Sequence, residues 1–398
     1  MKIRWIFLLP VVLIFSVGGL VGARKTAKPS PDPVRIGATV SKEGKYRETS
    51  FMMENGYRLW ARQVNEKGGL LGRPVELVLL NDESDPEKAG SLYEALIEEH
   101  RVDLVLSPYG SPLTLKASEA TEGRGYFMLA AGASSEQIWQ REYRYIFGMY
   151  APAGRYFIGF LDLVARQGMK SVAIVFERSS FHEAVARGAR QWAERFGLKV
   201  VYEGSFDDPV AQIPGLLEEV SEKSPHGLVF SAYPRDGYAA LEWMDGKKYR
   251  PAALGLSIAP VLPDFYLRAG EMAENVFGPS QWEPDERIPF PGTKRFIRDF
   301  KALCGKTPSY HGGSAYASCQ ILEQAVKRTD SLDQKNIRDY ILALDTVTVI
   351  GRFKVDHSGM QIGHNPILVQ WQNGRKEIVY PTKMRTAPPR FPASNESR

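Results

Sequence analysis

The chain has 398 residues, of which 43% are hydrophobic and 24% are charged, and its formal net charge is +5 at pH 7. This length exceeds what one ordinary hydrophobic core supports, and it predicts two domains. The composition is that of a globular protein, which excludes a membrane bundle and a largely disordered chain. The positive charge is spread thinly, without a basic stripe that contains aromatic residues, so we expect no nucleic-acid partner.

The first 23 residues predict an export signal. Lys2 and Arg4 provide a positive start, residues 5–20 form an apolar run, and residues 21–23 form a small-residue cleavage site. The apolar run is also long enough to span a bilayer as an uncleaved anchor, and this alternative stays open. We expect cleavage of a signal peptide covering 1–23 and a periplasmic location.

Short apolar strands then alternate with helical patterns. The first set has strands at 34–40, 75–80, 103–106 and 126–131 and helices at 51–67, 86–100 and 112–123. A second set has helices at 154–167, 181–196, 209–222 and 235–246 and strands at 171–176, 198–202, 227–230 and 252–256. Such alternation predicts βαβ units with parallel sheets between helices. The chain is therefore expected to be an α/β protein of two lobes with a cleft between them.

The C-terminal third is less regular. Helices are predicted at 296–304 and 311–327, and a strand pair near 351–355 and 366–371. The last residues, 383–398, are polar and rich in proline, so we expect a disordered tail.

The two cysteines leave two alternatives open. Export to an oxidising compartment permits a disulfide between Cys304 and Cys319, which are expected on neighbouring helices. Two free thiols are the other possibility. The spacing of the pair matches no metal motif.

Two predicted strands of the first set run directly into small, hydroxyl-rich segments. The strand at 103–106 leads to Gly110 and Ser111, and the strand at 126–131 leads to Gly132 and Ser134. Ligands of parallel α/β sheets lie outside the carboxyl ends of the strands, where helix N-termini present free N–H groups. These residues therefore predict an anion pocket, most simply for a carboxylate, although each segment alone could be an ordinary turn.

Strand ends of the second set carry one aromatic residue each. Phe181 follows the strand at 171–176 and Tyr233 follows the strand at 227–230. Either ring could close over a ligand held by the first set, or could pack against its own helix.

Catalytic and metal motifs are missing from the sequence. The six histidines form no pair at metal-binding spacing with cysteine or carboxylate, so we expect neither a metal nor another cofactor. The segment 304–307 lacks the upstream glycine of a phosphate-binding loop, and no nucleophile elbow is present. The sequence therefore predicts a protein that is not an enzyme.

Four stretches resemble the periplasmic solute-binding proteins of the leucine/isoleucine/valine-binding family, which serve branched-chain amino acid ABC transporters. They are residues 64–74, 107–111, 131–135 and 310–316, and the resemblance covers about 34–381. It implies a hinged two-lobed fold, each lobe being a parallel sheet flanked by helices, with three hinge crossovers. The first lobe would contain 34–149 and 279–344, and the second 150–278 and 345–382.

The resemblance also implies site residues. The carboxylate site of the family falls on Ser111, Gly132 and Ser134, and its lid aromatics fall on Phe181, usually tyrosine, and Tyr233. Members that bind amino acids hold the ammonium group with an acidic residue, and that position is Ser257 here, or an immediate neighbour if the register slips. The neighbours Leu256 and Ile258 are not acidic either. Two nearby acidic residues, Glu183 and Asp236, are possible substitutes. Otherwise the ligand is a carboxylate or amide with a more apolar body.

The resemblance implies a periplasmic, monomeric receptor that delivers a small carboxylate-bearing solute to an inner-membrane ABC permease. Branched-chain amino acids, amides and related apolar acids are the candidate solutes. A sensory ligand-binding module with the same lobes, soluble or anchored in the membrane, is the alternative.

Overall fold

The computed structural model describes residues 32–287 and 290–391; the expected signal peptide lies outside these residues. No helix in the described ranges is both long and apolar enough to cross a membrane. The helices are α1 (Arg47–Glu66), α2 (Pro86–Glu98), α3 (Ser111–Glu122), α4 (Ile158–Arg166), α5 (Ser180–Arg195), α6 (Pro209–Glu222), α7 (Pro234–Gly246), α8 (Phe265–Ala269), α9 (Thr293–Cys304), α10 (Tyr310–Thr329) and α11 (Gln334–Leu342). The strands are β1 (Val34–Val40), β2 (Val75–Asn81), β3 (Leu104–Val105), β4 (Met128–Ala130), β5 (Ile146–Gly148), β6 (Ser171–Glu177), β7 (Lys199–Phe206), β8 (Gly227–Ser231), β9 (Ala253–Leu256), β10 (Val276–Ser280), β11 (Asp345–Thr348), β12 (Gly351–Lys354), β13 (Ile367–Gln372) and β14 (Arg375–Tyr380).

Two parallel sheets organise the chain, as the sequence predicts. The first has the order β2-β1-β3, and the parallel pair β4-β5 lies beyond it in the chain. The second has the order β14-β13-β10-β9-β8-β6-β7. Its strands from β7 to β10 are parallel, and β13 and β14 add an antiparallel edge. The predicted α/β class with helix-flanked sheets is confirmed; below, the body around β1 is called the first lobe and the body around β6 the second lobe.

Local signals explain most helix starts. The side chain of Asp85 caps α2 by accepting hydrogen bonds from the backbone N–H groups of Glu87 and Lys88, and Pro86 occupies the first turn. Ser179 caps α5 by accepting from the backbone N–H of His182, which fixes where Phe181 leaves the second sheet. The apolar strands of both sheets are buried, as expected for parallel strands covered on both faces.

The structure differs from the predictions in the C-terminal third. The segments predicted as a strand pair do not pair with each other: β12 pairs with β11, and β13 pairs with β10 and β14. Helices α8 and α11 and strands β5, β10, β11 and β14 were not predicted. Cys304 and Cys319 are both free thiols.

Part of the segment predicted to be disordered has fixed contacts. The backbone N–H of Arg390 donates to Oε1 of Gln370 at 2.8 Å, and the Gln372 side chain donates to the Pro388 carbonyl at 2.8 Å. The ring of Phe391 packs against Phe277 at 5.4 Å between centroids. The expectation was wrong for this part because β13 presents glutamine side chains that pair with the passing backbone. Residues 392–398 lie outside the described ones.

The position of α5 depends on a close backbone approach. A Cβ atom at Gly188 would lie 2.2 Å from the carbonyl oxygen of Gly154, so α5 can reach this segment only with glycine at 188. We expect Gly188→Ala to lower the free energy of unfolding by about 1–3 kcal/mol through overpacking. Chemical denaturation followed by circular dichroism measures the change.

Gly215→Ala is the matched control, because Gly215 is an exposed helical glycine and a Cβ atom there would have no other atom within 4 Å. It should stabilise the protein by about 0.5–1 kcal/mol. Equal effects of the two substitutions would contradict the close approach.

Candidate ligand-binding site

The ends of β3 and β4 are joined by backbone contacts. Tyr109 and Gly132 form a parallel bridge, and the backbone N–H of Gly110 donates to the Gly132 carbonyl at 3.0 Å. A Cβ atom at Gly132 would lie 2.9 Å from both the Pro108 carbonyl and the Tyr109 Cα atom, so the approach requires glycine. Gly110 itself has a φ of 93°, a conformation that favours glycine. The two hydroxyl-rich segments of the sequence are thereby brought side by side.

A small cavity lies at this junction. The volume of the cavity is about 10 Å³, enough for one water molecule, whereas ordinary ligand pockets have roughly 300–1,000 Å³. Its lining is uncharged and mostly aromatic or hydroxyl-bearing: Tyr109, Gly110, Ser111, Gly132, Ser134, Tyr150, Tyr156, Phe181, Tyr233, Ile258 and Tyr310. The first lobe and the second lobe both contribute residues, so the cavity lies between the two sheets.

Of the six predicted site residues, the structure places Ser111, Gly132, Ser134, Phe181 and Tyr233 on this cavity. Ser257 is not among the lining residues. Its hydroxyl instead donates to the Ala232 carbonyl at 2.9 Å and accepts from the Ala232 N–H at 3.0 Å. The side chain therefore joins the ends of β8 and β9, and the lining position is taken by its neighbour Ile258.

The two serines form a connected polar group. The Ser111 hydroxyl accepts hydrogen bonds from the backbone N–H groups of Ser134 at 3.2 Å and Ser135 at 3.1 Å. The Ser134 hydroxyl donates to the Tyr156 hydroxyl at 3.2 Å. Ser111 also begins α3, whose first-turn N–H groups have no acceptor within the helix. This end of the cavity thus concentrates donors and the positive end of a helix dipole.

An aromatic cluster surrounds the cavity, and sequence reasoning missed most of it. It comprises Tyr46, Tyr109, Tyr150, Tyr156, Phe181, His182, Tyr233, Tyr310 and His311. Most neighbouring rings meet edge to face, with centroids 4.7 Å apart for Tyr46 and Tyr233 and 5.2 Å apart for Tyr150 and Tyr310. Tyr310 and His311 instead stack at 3.9 Å. Tyr310 is the first residue of 310–316, one of the four stretches that resemble the family. That resemblance was the sequence signal that pointed to Tyr310.

Burial keeps these tyrosines protonated. It raises the pKa of Tyr109, Tyr150, Tyr233 and Tyr310 well above the ordinary value. Within the described residues, the hydroxyls of Tyr150 and Tyr233 are buried and have no hydrogen-bond partner. An unmet buried hydroxyl is costly, so both are available to a ligand.

An ion pair between a partly exposed lysine and a buried glutamate connects the lobes beside the cavity. Nζ of Lys45, in the loop after β1, lies 2.6 Å from Oε1 of Glu177, at the end of β6. The same ammonium lies over the rings of Tyr46 and Tyr233, 5.3 Å and 5.2 Å from their centroids. Burial raises the pKa of Glu177, and Lys45 opposes this shift.

Neither acidic substitute suggested by the sequence faces the cavity. Glu183 is exposed. The carboxylate of Asp236 is buried and accepts from Nε of Arg235 at 2.8 Å. The lining therefore has no carboxylate from these positions to neutralise an ammonium group.

One serine–histidine–carboxylate arrangement exists, but it is inaccessible. Nδ1 of His182 lies 2.8 Å from the Ser231 hydroxyl, and its Nε2 lies 3.6 Å from Oε2 of Glu177. Ser231 and His182 have no exposed surface, and none of the three lines the cavity. Burial lowers the pKa of His182 well below its ordinary value, so the ring is neutral. A serine nucleophile needs access to substrate, and this one has none. Within residues 32–287 and 290–391 no group of three or more metal-ligating side chains occurs.

The chain is similar to known proteins over most of its length. The family model described as "Periplasmic binding protein" matches residues 33–376. The Leu/Ile/Val-binding protein homolog 7 of Brucella suis biovar 1 (strain 1330) is 21% identical over 404 residues, covering 96% of this chain and 99% of that protein.

Solved structures show the same fold. The branched-chain amino acid transporter substrate binding protein LivJ from Streptococcus pneumoniae, in complex with isoleucine, superposes with a TM-score of 0.78 at 19% identity and covers 88% of this chain and 100% of its own. A solute binding protein of an ABC transporter from R. palustris, in complex with benzoate, gives a TM-score of 0.77 at 17% identity, covering 92% and 98%. The match over most of the chain shows that the protein belongs to the periplasmic binding protein family.

Proposed function

We propose that this protein is the extracytoplasmic substrate-binding component of an ABC importer and captures a small carboxylate-bearing solute in the cavity between its lobes. The observation that carries the proposal is the cavity itself, with Ser111, Ser134 and the start of α3 at one end and Phe181 and Tyr233 from the other lobe. A carboxylate accepts hydrogen bonds, and charge-assisted bonds of this kind are stronger than neutral ones.

The comparisons support the same ligand chemistry. The proteins of similar fold bind isoleucine in one case and benzoate in another. These two ligands differ in their bodies and share a carboxylate. We therefore propose that this chain also binds an acid, with the carboxylate at the α3 end of its cavity.

The proposal includes the lobe division 34–149 with 279–344 and 150–278 with 345–382, and crossovers near 149–152, 277–280 and 345–349 as the hinge. Residues 1–23 would direct export to the periplasm, and an inner-membrane permease would receive the closed form. A ligand stabilises closure only to the extent that it contacts both lobes. Transport proteins among the relatives favour an importer over a sensory module.

Charged pairs across the lobes support closure. Besides Lys45 and Glu177, Nη1 of Arg268 in the second lobe lies 2.9 Å from Oε2 of Glu48 on α1. Lys306, beyond α9, pairs with Asp264 before α8. Of these, the Lys45–Glu177 pair is the most buried, so we expect the greatest energetic effect there.

The carboxylate end is tested by replacing both serines. Ser111→Ala combined with Ser134→Ala should weaken binding by about 2–4 kcal/mol, because each hydrogen bond to a charged group contributes roughly 1.5–3 kcal/mol. Calorimetry with L-leucine, 4-methylpentanoate and benzoate measures the change for every acid that the unmodified protein binds.

Ser91→Ala is the control, since Ser91 is exposed on α2 and its hydroxyl donates only to the Glu87 carbonyl of the same helix. It should leave affinity unchanged. Unaltered affinity in the double variant would remove Ser111 and Ser134 from the site, and failure of every acid to bind would contradict the proposed function.

The ion pair between the lobes is tested by a double-mutant cycle. Lys45→Met leaves the buried Glu177 carboxylate without its partner and should lower the free energy of unfolding by about 1–3 kcal/mol. Adding Glu177→Gln removes the unpaired charge and should restore most of the loss. Urea denaturation of the four proteins gives the coupling energy.

The exposed pair of Arg62 and Glu66 on α1, 3.0 Å apart, provides the comparison. Arg62→Met should change stability by less than about 0.5 kcal/mol. If the effects of Lys45→Met and Glu177→Gln simply add in the double variant, the coupling energy is zero and the two side chains are not coupled.

A further inference from the structure

The cavity lining contains features that bear on the body of the solute as well as on its carboxylate. We propose that the solute is an aromatic monocarboxylic acid without an ammonium group, a proposal that rests on the proposed function and narrows its class of ligand.

The charge around the cavity disfavours an ammonium group. None of the described residues that line the cavity is charged. Two buried carboxylates beside the cavity have cationic partners within the protein, Lys45 for Glu177 and Arg235 for Asp236. Glu136 binds the Gly154 N–H and does not line the cavity. An ammonium group in the cavity would therefore have no carboxylate in direct contact, and an unpaired buried charge is strongly unfavourable.

An apolar side chain stands where an acid would be needed. Ile258 presents an aliphatic side chain to the cavity, and the hydroxyl of Ser257 is bound to both backbone groups of Ala232. The surface that the second lobe offers at this position is thus apolar, whereas a zwitterion would need a polar partner. A ligand with a neutral, apolar body matches this apolar surface.

The walls of the cavity favour an aromatic body. Six of the eleven lining residues are aromatic: Tyr109, Tyr150, Tyr156, Phe181, Tyr233 and Tyr310. The rings nearly fill the space between them, since the remaining cavity volume is about 10 Å³, so a ligand enters by displacing rings or parting the lobes. Aromatic rings attract one another beyond simple burial of area in edge-to-face and offset geometries, which the cluster already uses.

Aromatic walls without an acid also suit quaternary ammonium compounds. Here the ammonium of Lys45 already lies over the rings of Tyr46 and Tyr233. The face of Tyr233 that lies under Lys45 is therefore not free for a second cation. An anionic ligand is therefore favoured over a cationic or zwitterionic one.

Matched acids test the proposal with the unmodified protein. Phenylacetate and L-phenylglycine differ only by the ammonium group, as do 4-methylpentanoate and L-leucine. Benzoate and cyclohexanecarboxylate differ only in aromaticity, and glycine betaine adds a quaternary ammonium. Affinities are measured by calorimetry at one pH and salt concentration.

We expect each acid without an ammonium group to bind at least ten-fold more tightly than its amino partner, and benzoate about five-fold more tightly than cyclohexanecarboxylate. Tighter binding of the amino members or of glycine betaine would overturn the inference while leaving a solute-binding function in place. Cyclohexanecarboxylate binding as tightly as benzoate would overturn its aromatic part. If no compound binds, the capture of carboxylates fails as well.

Ile258→Glu supplies the missing carboxylate, and Ile258→Gln is its matched neutral control. Relative to the glutamine variant, the glutamate variant should shift the preference toward L-phenylglycine over phenylacetate by at least ten-fold. Melting curves establish that both variants fold. An unchanged preference in a folded glutamate variant would contradict the role given to charge, and the panel with the unmodified protein decides the matter if either variant fails to fold.

Discussion

The backbone contact between Gly110 and Gly132 is the constraint on which the candidate site depends. It holds the ends of β3 and β4 at hydrogen-bonding distance, which brings Ser111 within reach of the N–H groups of Ser134 and Ser135. A side chain at Gly132 would collide with the neighbouring backbone. The Ser111 hydroxyl therefore joins the start of α3 to the segment after β4 at one end of the cavity.

The second lobe completes the cavity from strand ends of its own. Phe181 is positioned by the cap of α5, and Tyr233 immediately precedes α7. Because Lys45 contacts both Glu177 and the rings of Tyr46 and Tyr233, closure joins charge and aromatic packing at the edge of the cavity. Contacts made by the ligand and contacts between the lobes thus both stabilise the closed arrangement of the lobes that we propose.

Sequence periodicity predicted the two sheets because parallel strands covered by helices leave strong apolar runs. It failed for β10, which contains Pro279, and for the three-residue β5, because such short or interrupted segments carry little periodic signal. The positions of Ser111, Gly132 and Ser134 could be predicted from strand ends. The tyrosines could not be predicted in the same way, since Tyr150 and Tyr310 meet only through the tertiary fold. The prediction that Ser257 lines the cavity was wrong by one residue. The Ser257 hydroxyl binds the backbone of Ala232, and the side chain of Ile258 lines the cavity instead. At a strand end either of two neighbouring residues can face the cavity, and the sequence does not distinguish them.

The location of the bound acid is the central claim, and hydrogen exchange followed by mass spectrometry tests it most directly. The protein is compared alone and with the carboxylic acid that raises its melting temperature most. The account predicts slower exchange in segments 109–115 and 131–136 of the first lobe together with 178–184 and 230–236 of the second. Protection confined to other segments, with these four unchanged, would contradict it.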